Sequence, residues 1–119
     1  MRAAMRYSPR MFENTIAKLE QEIQGGALEP ARKAELLALL ARLRAEVATL
    51  PPGEDEQARS VSGFAALSAH EATRSTSRPK LLEVSLRGLA ASGQELELTH
   101  PRLAEVVNQL CALLSNMGI

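Results

Sequence analysis

The chain has 119 residues, with fourteen basic and fourteen acidic side chains, one Tyr, two Phe, no Trp and a single cysteine. That length holds one small hydrophobic core and not two, and a net charge of zero supplies no long-range field toward nucleic acid or an anionic membrane. The lone Cys111 excludes an internal disulfide framework and fits a reducing compartment, while the longest unbroken apolar run, residues 36–41, is far short of the roughly 20 residues a membrane helix needs.

Residues 1–10 carry Arg2, Arg6 and Arg10 without an acid, which predicts a flexible basic tail, and no apolar stretch of secretory length follows it. The expected location is therefore the cytoplasm, and Met5 and Met11 are alternative starts. A first helix is predicted from about Pro9 to Gln24, because Phe12, Ile16, Leu19 and Ile23 recur at steps of four, three and four and so share one helical face. Gly25 and Gly26 stop it, since a glycine takes a positive φ at low cost. A second helix is predicted over 29–50, opened by Pro30 at a first helical position and closed by Pro51-Pro52-Gly53. Leu36, Leu40, Leu43, Val47 and Leu50 continue the stripe and Leu37 and Leu39 widen it, so the first two helices are expected to form an antiparallel hairpin.

Residues 55–72 predict only a marginal helix. Asp55 and Glu56 favour its start, but Val61, Phe64, Ala65 and Leu67 offer a short apolar face, and the polar run 73–78 reads as a linker. A further helix over 79–97 places Leu82, Leu86, Leu89, Gly93 and Leu96 on one stripe. Gly93 costs about 1 kcal/mol relative to Ala in a helix interior, and the gap it leaves lets a neighbouring helix come close.

After a break at Leu98-Thr99-His100, Pro101 opens the last helix, 101–117. Leu103, Val106, Val107, Leu110, Leu113, Leu114 and Met117 make it the most strongly striped segment of the chain, and Gly118 closes it. The expected architecture is all-α: one domain over 11–119, built as two antiparallel helical hairpins in a small bundle, with the middle segment covering or flanking the core. Completion of the stripes by a symmetric dimer is the second way to cover them.

The C-terminal string H-P-R-L-A-E-V-V-N-Q-L with A-L-L-S-N-M-G-I, and the N-terminal M-F-E-N-T-I-A-K-L-E-Q-E-I with the proline-led helix after it, resemble a family of small bacterial proteins catalogued as a domain of unknown function, number four-four-zero-four. The resemblance covers most of the chain outside residues 1–10 and about 54–78. It implies a small helical protein, a start at Met11 and a longer middle segment than the family's, and it brings no catalytic residue or cofactor. The family's pattern carries a bulky apolar residue where this chain has Gly93.

Chemistry-bearing residues are few. His70, His100 and Cys111 are the soft-ligand candidates besides methionine, and none stands three or four residues from another as a helical metal pair would. Cys111 and His100 are about 16 Å apart along one helix, too far for a nucleophilic dyad within it. His100 reads as a turn or cap residue beside Pro101, and Cys111 as a small hydrophobe next to Leu110. No phosphate-binding glycine loop is present, and the last helix carries Arg102 as its one base, a poor groove reader.

These readings favour a non-catalytic protein that needs no metal and no cofactor and acts by self-association, with a dimer favoured, or by binding an unknown protein partner. The stripe Leu103, Val106, Val107, Leu110, Leu114 and Met117 is its candidate core or interaction face, and His100 and Pro101 are its helix break. A ligand-binding or enzymatic bundle using His100 or Cys111 in an interhelical pocket is the alternative, and a nucleic-acid accessory role through the basic tail the third.

Overall fold

A computed structural model describes residues 9–76 and 78–117, with side chains from residue 14 onward. Its helices are α1 (Pro9–Gln24), α2 (Pro30–Val47), α3 (Asp55–Ala72), α4 (Pro79–Leu96) and α5 (Pro101–Met117), with no strand among the described residues. Four of the five open on a proline, whose missing N–H costs nothing in a first turn. The exception, α3, instead places Asp55 and Glu56 in its first turn, at the positive end of the helix dipole. The basic tail lies outside the described residues up to residue 8, Pro9 and Arg10 belong to α1, and the helix stop at Gly118 also falls outside them. No helix of the described residues is long and apolar enough to cross a membrane.

The fold is the expected all-α bundle. Around its core the helices adjoin in the order α2, α1, α3, α4, α5, with α5 closing back on α2 and also touching α3. Two pairs run antiparallel, each shown by two contacts in opposed order: Phe64 lies on Gly88 and Glu71 pairs with Arg78 between α3 and α4, and Gly93 meets Val107 while Cys111 lies against Leu86 between α4 and α5. Between α1 and α2, Arg44 Nε lies 3.3 Å from Glu20 Oε1. Ile16, Leu36, Leu40, Leu43, Leu89, Leu110 and Leu114 are wholly buried, so the stripes from four of the helices meet in one core.

Two expectations need correction, and a third is met in its bounds and extended. The helix expected over 55–72 forms as α3: Ala58, Val61, Ala65 and Ala69 are buried, and it packs on α1, α4 and α5 as a full member of the bundle. Its core face is made of small side chains, which carry little burial energy each but let helices approach closely; Phe64 and Leu67 lie off that face, 37% and 47% exposed. Gly25 and Gly26 do not take positive φ, and Gly53 alone does among the described residues, at φ 100°. Lys33 caps the end of α1: its Nζ donates to the carbonyls of Gln24 at 3.1 Å and Gly26 at 3.0 Å and so satisfies groups the helix leaves open. Finally, α2 stops at Val47, short of Leu50, in a turn where Thr49 Oγ1 donates to the Glu46 carbonyl at 2.7 Å.

Gly93 does permit close approach. A Cβ there would stand 2.8 Å from Val107 Cγ1, so α4 and α5 meet where α4 has no side chain.

Candidate interaction surface

The stripe on α5 is consumed inside the chain. Leu103, Val106, Val107, Leu110 and Leu114 are each at most 1% exposed, and Met117 is half-buried. Among the described residues, the large apolar side chains that remain outside are elsewhere: Phe64 and Leu67 on α3, Leu81 and Val84 on α4, and Leu98 in the turn after α4.

Four of these five share one surface. Two contacts fix the register of α3 against α4, the Phe64 ring on Gly88 and the ion pair of Glu71 with Arg78, and that antiparallel register sets Leu67 beside Val84. The core faces of the two helices are defined by Ala58, Val61, Ala65 and Ala69 on one and Leu82, Leu89 and Leu96 on the other. At 3.6 residues per turn, Phe64, Leu67, Leu81 and Val84 fall off those faces and onto the outer seam. With Leu81 44% and Val84 60% exposed, and about 150–200 Å² for each side chain when free, the four leave roughly 300 Å² of apolar surface in one strip. A strip of this size is comparable to the largest patch on an ordinary monomer, which is often functional. Its rim is polar: Lys80 is exposed, and Glu83 and Arg87 are paired at 2.8 Å. An apolar centre within a charged rim is the anatomy of a protein interface.

The other candidate residues do not converge. His100 Nε2 lies 2.7 Å from Oε1 of Glu54, the residue that precedes α3, so the pair ties the α2–α3 turn to the start of α5. The His100 backbone also bridges the two last helices, its N–H donating to Leu96 at 2.7 Å and its carbonyl accepting from Ala104 at 3.0 Å. A cleft of about 400 Å³ adjoins it, bordered by Glu46, Thr49, Thr99 and Arg102, and Thr49 spends its hydroxyl on the backbone. The ring therefore acts as a tie between turns, one link beyond the cap that its place beside Pro101 predicts. Glu97 and His100 stand in a Glu-x-x-His spacing, but it falls in this turn and not on a helix face.

His70 sits at the opposite end of α3, sixteen residues from Glu54 and so about 24 Å along the axis, beside a recess of about 160 Å³ bordered by Glu22, Ile23 and Thr73. Cys111 is half-buried against α4, its Sγ 4.0 Å from the Leu86 carbonyl, and burial pushes its thiol above the ordinary range, away from thiolate chemistry. Among the described residues, no three His, Cys, Asp or Glu side chains are grouped as a metal ion would require.

Sequence periodicity found the buried stripes and missed Leu81 and Val84. The available signal was a second apolar stripe on the same helix, since Leu81 and Val84 cannot share a face with Leu82, Leu89 and Leu96. No family model matches the chain, and no curated protein or solved structure does either.

Proposed function

We propose that this chain is a non-catalytic helical interaction module that binds a protein partner through the outer seam of α3 and α4. The observation that carries the reading is the placement of Phe64, Leu67, Leu81 and Val84 on one exposed strip; among the described residues, the other large apolar side chains, Leu98 apart, are wholly or partly covered. A seam between two antiparallel helices offers a groove with apolar anchors at helical spacing, the form that an amphipathic helix of a partner fits. The protein partner needs no cofactor or metal from this chain, and the reading puts the module in the cytoplasm, where a single free thiol stays reduced.

Site-specific photo-crosslinking in the native cell tests it. A photoreactive residue at Leu67 or Val84 should trap the same partner, a photoreactive residue at Leu98 should not, and Leu81→Glu should abolish the product. Crosslinks that are equal from all three positions, or absent from Leu67 and Val84, would count against the surface.

A further inference from the structure

A different face of the bundle, where α2 lies against α5, carries a shallow groove of about 460 Å³ whose lining repeats itself end for end. The α2 wall is Glu35, Ala38, Leu39 and Arg42; the antiparallel α5 wall is Gln109, Ala112, Leu113 and Asn116. Both sets are spaced by three, one and three residues, so each wall has an apolar middle between two polar ends. Arg42 Nη1 donates to Gln109 Oε1 at 2.9 Å, which holds the guanidinium at the rim. Glu35, two turns away on the same flank, has no ion pair or hydrogen bond among the described residues.

We propose that a second copy of this chain docks on this groove, α2 antiparallel to α2, about a two-fold axis that crosses the groove between Ala38 and Leu39. Charge decides the occupant. Along the α5-facing flank of α2 the signs run positive at Arg32, negative at Glu35, positive at Arg42 and negative at Glu46, a series antisymmetric about the middle of the helix. Turning a copy end over end therefore sets Glu35 of each copy opposite Arg42 of the other, and brings each Arg32 toward the opposing Glu46. The same rotation pairs Gln109 with Asn116, amides that both donate and accept. An isologous contact demands this self-complementarity, which recognition of an unrelated partner does not.

Close approach is open to the two copies, because the outward positions of α2 beside this flank are Ala34, Ala38, Ala41 and Ala45, all exposed. Two helices about 27 Å long, side by side, present on the order of 500 Å² per copy, and about 1,000 Å² in total is the low end for a specific interface. The dimer is therefore concentration-dependent. It is independent of the α3–α4 seam, which it leaves open on both copies.

Sedimentation velocity over a range from low micromolar to high micromolar chain concentration tests this, with far-UV circular dichroism to establish that each variant keeps its helices. Glu35→Arg and Arg42→Glu, each alone, should weaken the dimer about tenfold or more, since like charges then face each other twice. The double variant E35R/R42E should restore it, because every arginine again faces a glutamate. A monomeric mass throughout, or a dimer indifferent to the single reversals, overturns the proposal. A dimer lost in the double variant L67E/V84E but kept in Glu35→Arg also overturns it, moves the contact to the α3–α4 seam and leaves the interaction reading standing.

Discussion

The ring of Phe64 occupies the space that a side chain on Gly88 would take, so close that a Cβ at residue 88 would collide with the ring edge. A second glycine of the same helix is tight for a different reason. Gly93 faces Val107, and a Cβ there would stand 2.8 Å from its Cγ1 and 3.3 Å from its Cβ.

Alanine at the two glycines should therefore act unequally. Val107 is wholly buried and stiff at χ1, so Gly93→Ala overpacks α4 against α5 at a cost of about 1–3 kcal/mol, set against about 1 kcal/mol regained in helix propensity. A net destabilisation of about 1 kcal/mol is expected. Phe64 is 37% exposed and its ring can swing into solvent, so Gly88→Ala should stay within about 0.5 kcal/mol of the parent. Urea-unfolding midpoints of the two variants check the order.

Burial separates the leucines just as sharply. Leu110 is wholly buried, and Leu110→Ala should cost about 2–5 kcal/mol through lost transfer energy and a residual cavity. Leu98 is 97% exposed, and Leu98→Ala should leave stability unchanged within about 0.5 kcal/mol. Thermal melts followed by circular dichroism distinguish the two outcomes.

Glu71 gives a pH dependence with a definite sign. Its side chain is 1% exposed and accepts from Arg78 Nη2 at 2.6 Å and Nε at 3.3 Å, with Arg74 Nε 3.7 Å away. The Arg78 hydrogen bond, outweighing the desolvation that opposes it, holds this carboxyl below its ordinary 4.5. Because the folded state has the lower value, the contribution is present above pH 4.5 and is lost as pH falls from there through the folded value. Urea midpoints should decline below pH 4.5, and Arg78→Gln should flatten the part of that decline owed to Glu71.

The tie between His100 and Glu54 joins turns that are 46 residues apart in the chain. Both side chains are partly exposed, so His100→Ala should cost no more than about 1 kcal/mol globally. Its larger effect should be local, as faster amide hydrogen exchange in the α2–α3 and α4–α5 turns than in the parent. Unchanged exchange in both turns would show that the tie does not order them.

Much of this architecture is written in local spacing. Ile16, Leu19 and Ile23 on α1, Leu36, Leu40 and Leu43 on α2, and Leu103, Val106, Val107, Leu110 and Leu114 on α5 recur with the helical period and are buried in the core. Prolines at 9, 30, 79 and 101 mark the helix starts because a proline loses nothing at a first turn, wherever the helix later packs. The middle helix was harder to read, because its core face is Ala58, Val61, Ala65 and Ala69, and small side chains give a weak periodic signal. Of the apolar face expected there, Val61 and Ala65 are in the core, while the larger Phe64 and Leu67 lie off it.

Residue spacing determines which side chains share a helix face, since that depends on 3.6 residues per turn and on nothing outside the helix. Whether a face is covered depends on neighbours brought from far along the chain. Tertiary structure alone therefore decided that the α5 stripe is consumed by α2, α3 and α4, that Phe64, Leu67, Leu81 and Val84 stay outside, and that His100 finds Glu54. The candidate surface is made of residues that close-packed neighbours left uncovered, a property no single helix possesses.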